Sequence, residues 1–178
     1  MTPSADWQRF RVAVPPERTR APRSVRTPEG VGDRLRTAAF AEVQARDAFR
    51  WAEQTFPDAP KALKSAWLRL ANEEQRHLDW LLARMEELGA EVEERLVSDQ
   101  LWKSLVACES AQDFTLYMAN AEDWGREAGE RISDQLDACD ERSAALFARI
   151  AKEEQGHIAI ARRFFPEAPV SAPKPPSR

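Results

Sequence analysis

Apolar side chains recur at alternating steps of three and four residues along four long stretches of the chain, the spacing of one helix face. In the first stretch the stripe reads Leu35, Ala38, Glu42, Ala45, Phe49, Ala52 and Phe56, and in the second Leu63, Trp67, Leu70, Glu74, His77, Leu81 and Leu88. The third carries Met118, Glu122, Gly125, Gly129, Ile132 and Leu136, and the fourth Phe147, Ile150, Glu154, His157, Ala161 and Phe164. Breakers set the limits. The first helix runs from about Pro28 to the Phe56-Pro57-Asp58-Ala59-Pro60 turn, and the second from about Pro60 to Leu88, before Gly89. The third spans about Ser110 to Leu136, and the fourth about Asp140 to Phe165, before Pro166. Residues 89–109 form a long connection with a short helix expected near Leu101–Ala107. The pattern predicts an all-α fold, a four-helix bundle over residues 29–165.

Each stripe is interrupted halfway by a carboxylate, and two of them by a histidine as well. The chain has only two histidines, and both stand in one pattern, Glu74-Gln-Arg-His77 and Glu154-Gln-Gly-His157. Glu and His at i, i+3 share a helical face. Adding 80 to Glu42, Glu74 and His77 gives Glu122, Glu154 and His157, and the same shift maps Ala41, Arg46, Ala48, Ala71, Glu73 and Gln75 onto identical residues. The fold is therefore expected to be two pseudo-repeated helical hairpins joined by a long crossover.

The hairpins set the heights of these residues. Fourteen residues separate Glu42 from Phe56 and Pro60 from Glu74, and fourteen separate Glu122 from Leu136 and Asp140 from Glu154. At about 1.5 Å per residue the chain climbs and descends roughly 21 Å, so each pair of carboxylates returns to one level. Four carboxylates and two imidazoles thus converge inside the bundle. Burying a single charge costs several kcal/mol, and clustered like charges add to that. Two divalent cations would balance the four carboxylates, and mixed oxygen and nitrogen donors suit iron or manganese. The candidate metal ligands are Glu42, Glu74, His77, Glu122, Glu154 and His157. Glu73 and Glu153, beside the inward glutamates, are expected on a solvated rim. Gly125 and Gly129 suggest close packing or room for a ligand beside Glu122, since two glycines weaken a helix by about 1 kcal/mol each.

These residues resemble the ferritin-like di-iron carboxylate superfamily, in which two helices each give a Glu and two others a Glu-x-x-His. The stretches AEVQARDAF, NEEQRHLDWLLARMEELG, AEDWG and KEEQGHIAIARRFF look like the bacterial ferritin-like group of the DUF455 type, itself related to di-iron tRNA hydroxylases. The resemblance spans residues 30–165. It implies a ferritin-like bundle, ligand roles for the six residues, and two Fe ions, with Mn/Fe or Mn as alternatives. A glutamate common in that group five residues after the first ligand stands here as Asp47.

The implied function is an O2- or peroxide-dependent oxidoreductase or oxygenase supplied by an external electron donor. Ferroxidase or iron handling is the alternative, and RNA-modifying hydroxylation a lesser one. Cys108 and Cys139 lie 31 residues apart and form no CxxC pair, which excludes a rubredoxin-type iron site or a zinc ribbon within this chain. The stretch Arg9–Arg36 holds eight arginines against three acids, enough to track a phosphate backbone, but a net charge of −4 argues against general nucleic-acid binding. Residues 1–28, rich in Pro and Arg, are expected to be an arm lying on the domain or mobile, and 166–178 a disordered tail. The absence of an apolar run of spanning length argues against a membrane partner. A cytoplasmic monomer or small homo-oligomer is expected.

Overall fold

The computed structural model describes residues 4–168; residues 1–3 and the 169–178 part of the expected tail lie outside the described residues. The fold is all-helical. The long helices are α1 (Pro28–Thr55), α2 (Lys61–Glu87), α4 (Ala111–Leu136) and α5 (Glu141–Phe164), with a short α3 (Gln100–Leu105) in the connection and a single 3-10 turn over Ala5–Arg9.

Local chemistry explains the ends. Thr27 caps α1 by accepting from the Gly30 N–H, with Pro28 at the first helical position, where its missing N–H has no consequence. Ser110 caps α4 through the Asp113 N–H, and Asp140 caps α5 through the Ser143 N–H. Gly89, at φ 64°, closes α2: its N–H donates to the Glu86 carbonyl and the Ala90 N–H to that of Met85, the paired bonds of a Schellman motif. Gly30 is demanded by proximity, because a Cβ there would fall 1.7 Å from the Ser24 carbonyl oxygen.

α1 and α2 pack along their lengths as one hairpin, and α4 and α5 as another. The hairpins meet mainly through α2 against α5, with a lighter α1–α4 seam. Two apolar clusters fill the interior. One gathers Phe49, Phe56, Leu63, Trp67, Phe114 and Met118; the other gathers Leu35, Phe40, Leu81, Met85, Leu136 and Phe147. The interrupting carboxylates and histidines lie in sequence between the two.

α1 departs from the single stripe that its spacing predicts, because it is buried on a second, polar side. Gln44 donates to the Phe40 and Ser98 carbonyls and accepts from the Trp102 N–H at 2.9 Å, and Arg36 donates to the Glu91 and Val92 carbonyls. These bonds seat the crossover. The arm is seated too. Trp7 packs edge-on against Phe40 and Trp102, Phe10 is buried, and the arm and crossover pair as a parallel bridge at Val12 and Val97. Asp47 accepts from the Ser4 N–H and the Trp7 indole N–H, each at 2.9 Å, and from Arg46, which also donates to Asp6 and Gln75. Asp47 therefore anchors the arm.

Asp33 is the centre of a second network, pairing with Arg23, Arg36 and Arg95. Burial alone would raise its pKa, but the bonds from Arg23 and Arg95 hold it well below the usual carboxylate range. No described helix is long and apolar enough to cross a membrane.

Candidate metal centre

All six candidate ligands are buried, at 9% exposure or less, and they come together. Glu42, Glu74, His77 and Glu154 offer one set of ligand atoms within 4.8 Å of one another, and Glu74, Glu122, Glu154 and His157 offer a second. Each set holds three carboxylates and one imidazole. Glu74 and Glu154, the glutamates of the two Glu-x-x-His motifs, belong to both. The imidazoles stack with centroids 5.9 Å apart and planes at 20°.

The ring nitrogens have separate duties. His77 Nε2 lies 3.1 Å from Glu153, and His157 Nε2 lies 2.9 Å from Glu73. A carboxylate only accepts, so each Nε2 carries the hydrogen and each Nδ1 faces the cluster. His157 Nδ1 is 2.9 Å from both Glu74 and Glu154, and His77 Nδ1 is 3.3 Å from both. Despite these distances the inward atoms are not aligned as hydrogen bonds. Both Nδ1 atoms, both Glu74 oxygens, Glu122 Oε1 and Glu154 Oε2 are buried without a hydrogen-bond partner. Orphaned polar atoms are rare in folded interiors. Six in one place, all good donors to a hard or borderline cation, fit a pair of divalent ions.

Proton energetics agree. Burial, joined by repulsion from Glu74 and Glu154, raises Glu42 and Glu122 well above the usual carboxylate range. Burial acts the same way on Glu74 and Glu154, but the neighbouring imidazoles overcome it and hold both down. Burial alone would lower the imidazoles; the carboxylates around them outweigh it, holding His157 up at about 12 and His77 far above its ordinary range. The buried carboxylates are thus balanced by protons on the imidazoles and on Glu42 and Glu122.

Glu73 and Glu153 hold the rim position expected of them. Each is 29% exposed, yet each reaches across the hairpin interface to the other hairpin's histidine. Their signal was already in the sequence, in the repeated Glu-Glu pair. Gly129 packs closely, its missing Cβ 3.5 Å from Ala151, whereas Gly125 is exposed with open space around it and leaves the inward stripe. Cys108 and Cys139 belong to neither ligand set, and burial pushes the Cys108 thiol up to about 11.

The family described as a protein of unknown function, DUF455, matches over residues 3–172, and the chain belongs to it. No curated protein and no solved structure matches the chain.

Proposed function

We propose that this member of the DUF455 family is a ferritin-like four-helix bundle carrying a dinuclear metal centre, di-iron in the working protein, and that it is an O2- or peroxide-dependent oxidoreductase. The observation that carries the reading is the set of six buried, unaligned ligand atoms, divided between two four-residue groups that share Glu74 and Glu154. Glu42 and His77 would complete one ion's shell, and Glu122 and His157 the other's. Oxygen and nitrogen donors without thiolate favour iron, or manganese in its place.

Glu42, Glu74, His77, Glu122, Glu154 and His157 would hold the two ions, which when bound as iron would supply one electron each to O2 or peroxide. The chain contributes the setting. The apolar clusters on either side keep bulk water from the centre, and Glu73 and Glu153 fix both rings with Nδ1 inward. Glu42 and Glu122, held toward their protonated forms, are the groups placed to give up protons when cations enter. Neither cysteine lies at the centre, so reducing equivalents come from a separate electron donor.

RNA-directed hydroxylation finds less support in the arm, because Arg23, Arg34 and Arg36 are engaged within the chain by Asp33, Glu94 and backbone carbonyls. The test is anaerobic loading with ferrous iron followed by a single exposure to O2 or peroxide. Two irons per chain, oxidised together in one turnover, are expected. Iron that stays ferrous would refute the oxidoreductase, and a cage-sized assembly gathering a mineral core would favour iron handling instead.

A further inference from the structure

Across the 80-residue offset the six inward donors match, but the residues that surround their outer partners do not. Glu153 accepts the His77 Nε2–H at 3.1 Å and, on the same oxygen, a hydrogen from Arg76 at 2.9 Å. Arg149 donates to its other oxygen at 3.4 Å. Trp80 steadies that guanidinium: its half-buried ring lies 3.7 Å from Arg149 and 5.5 Å from the His77 ring. Behind His77, two positive charges therefore face one negative charge.

Glu73, behind His157, has no such company. It accepts the His157 Nε2–H at 2.9 Å and pairs with no arginine or lysine among the described residues. The repeat explains why. The counterpart of Arg76 is Gly156 and that of Trp80 is Ile160, so one guanidinium is missing and the other, on Arg69, has no aromatic ring to rest on. Arg46 and its equivalent Arg126 do not restore the balance, because each is paired with two acids.

We infer that Arg76, Arg149 and Trp80 make the two ion positions unequal, so that the position served by Glu122 and His157 binds a divalent cation more tightly and fills before the one served by Glu42 and His77. The inference rests on the dinuclear reading and adds an order of loading to it. A carboxylate behind an imidazole makes the inward nitrogen a better donor. One already shared with two guanidiniums does so less, and the surplus positive charge also repels an entering cation. Both guanidiniums are more than half exposed, so screening holds the expected gap to about tenfold.

The chain has only two histidines, so isotope-labelled histidine reports each position by its own ring. The full chain is titrated with zinc, which binds oxygen and nitrogen donors without redox turnover, with the free ion set by a chelator buffer at low salt. Uptake is counted by native mass spectrometry, and the two rings are followed by NMR, His77→Asn identifying its own by loss. The His157 ring should respond first and the His77 ring second, with midpoints about tenfold apart. Replacing both Arg76→Ala and Arg149→Ala should tighten the His77 position and close most of the gap. Damage to packing would weaken binding instead, so a gain isolates the charge effect. Gly156→Arg, where an added Cβ meets open space, makes the second Glu-x-x-His motif identical to the first and should weaken the His157 position. Two zinc ions bound with both rings responding together, with His77 first, or with a gap that the double arginine variant leaves unchanged overturn the inference while the dinuclear reading stands. A chain that takes up no zinc overturns both.

Discussion

Glu153 on α5 accepts a hydrogen bond from the Nε2–H of His77 on α2 at 3.1 Å, so a ligand of one hairpin is held by a carboxylate of the other. The bond from His157 to Glu73 repeats it with the hairpins exchanged. Partners of this kind fix the tautomer and orientation of a metal-binding imidazole and raise its basicity. Glu73→Gln and Glu153→Gln should each lower metal affinity about tenfold to a hundredfold, read by competition with a chromophoric chelator. Helical content by circular dichroism should not change. Unaltered affinity in both variants would remove the positioning role.

The two ligand sets predict an unequal outcome of mutation. Glu74 and Glu154 serve both sets, whereas Glu42 serves one and Glu122 the other. Glu42→Ala or Glu122→Ala should leave one tightly bound ion and one weakened one. Glu74→Ala should lose both. Metal counted per chain after desalting checks this, and a second tight ion surviving in Glu74→Ala would contradict the shared role.

Metal uptake should release protons. Two imidazoles and the carboxyls of Glu42 and Glu122 are all shifted toward their protonated forms, so entering cations displace up to four protons. Affinity should therefore fall steeply as the pH falls. Calorimetric titration in buffers of different ionisation enthalpy counts the protons. Because metal binds only the folded centre, an excess of about 100 times Kd should stabilise the fold by about 2.7 kcal/mol, and a chelator should reverse the rise in Tm.

Asp33 predicts acid sensitivity away from the centre. Burial tends to raise its pKa, but Arg23 and Arg95 depress it below the unfolded value. Its stabilisation is present in full above about pH 4 and is lost as the pH falls below that, toward the folded-state value. Asp33→Asn should cost about 3 kcal/mol at neutral pH, because the buried Arg36 loses a partner. The variant should also show a flatter loss of stability in acid, measured by urea denaturation across pH.

The arm contributes packing as well as charge. Trp7→Ala should destabilise the chain by about 3 kcal/mol, through lost contact with Phe40 and Trp102 and the freed Asp47 carboxylate. Urea denaturation should show it. A change within a few tenths of a kcal/mol would mean that the arm is merely laid on the surface.

The helices and the six inward donors were legible because periodicity and the 80-residue offset report on one helix face at a time. The second burial of α1 was not legible. Arg36, Gln44, Arg46 and Asp47 stand outside the apolar stripe of α1, and the distant crossover and arm bury them. The reach of Glu73 and Glu153 to the histidines was hidden for a related reason. A stripe separates inside from outside but does not show what a long side chain on the boundary can reach in the neighbouring hairpin. The small cavity beside Phe49, Trp67 and Glu122 depends on packing between four helices, which no local pattern encodes.

The burial of Arg46 beneath the arm has a counterpart in Arg126, its repeat equivalent, which forms surface pairs with Asp123 and Glu130. Two halves related by an approximate dyad thus wear different coats. The arm and crossover armour the α1 flank, while the α4 flank, with Gly125 bare, faces the surroundings. The asymmetry gives a symmetric core a front and a back.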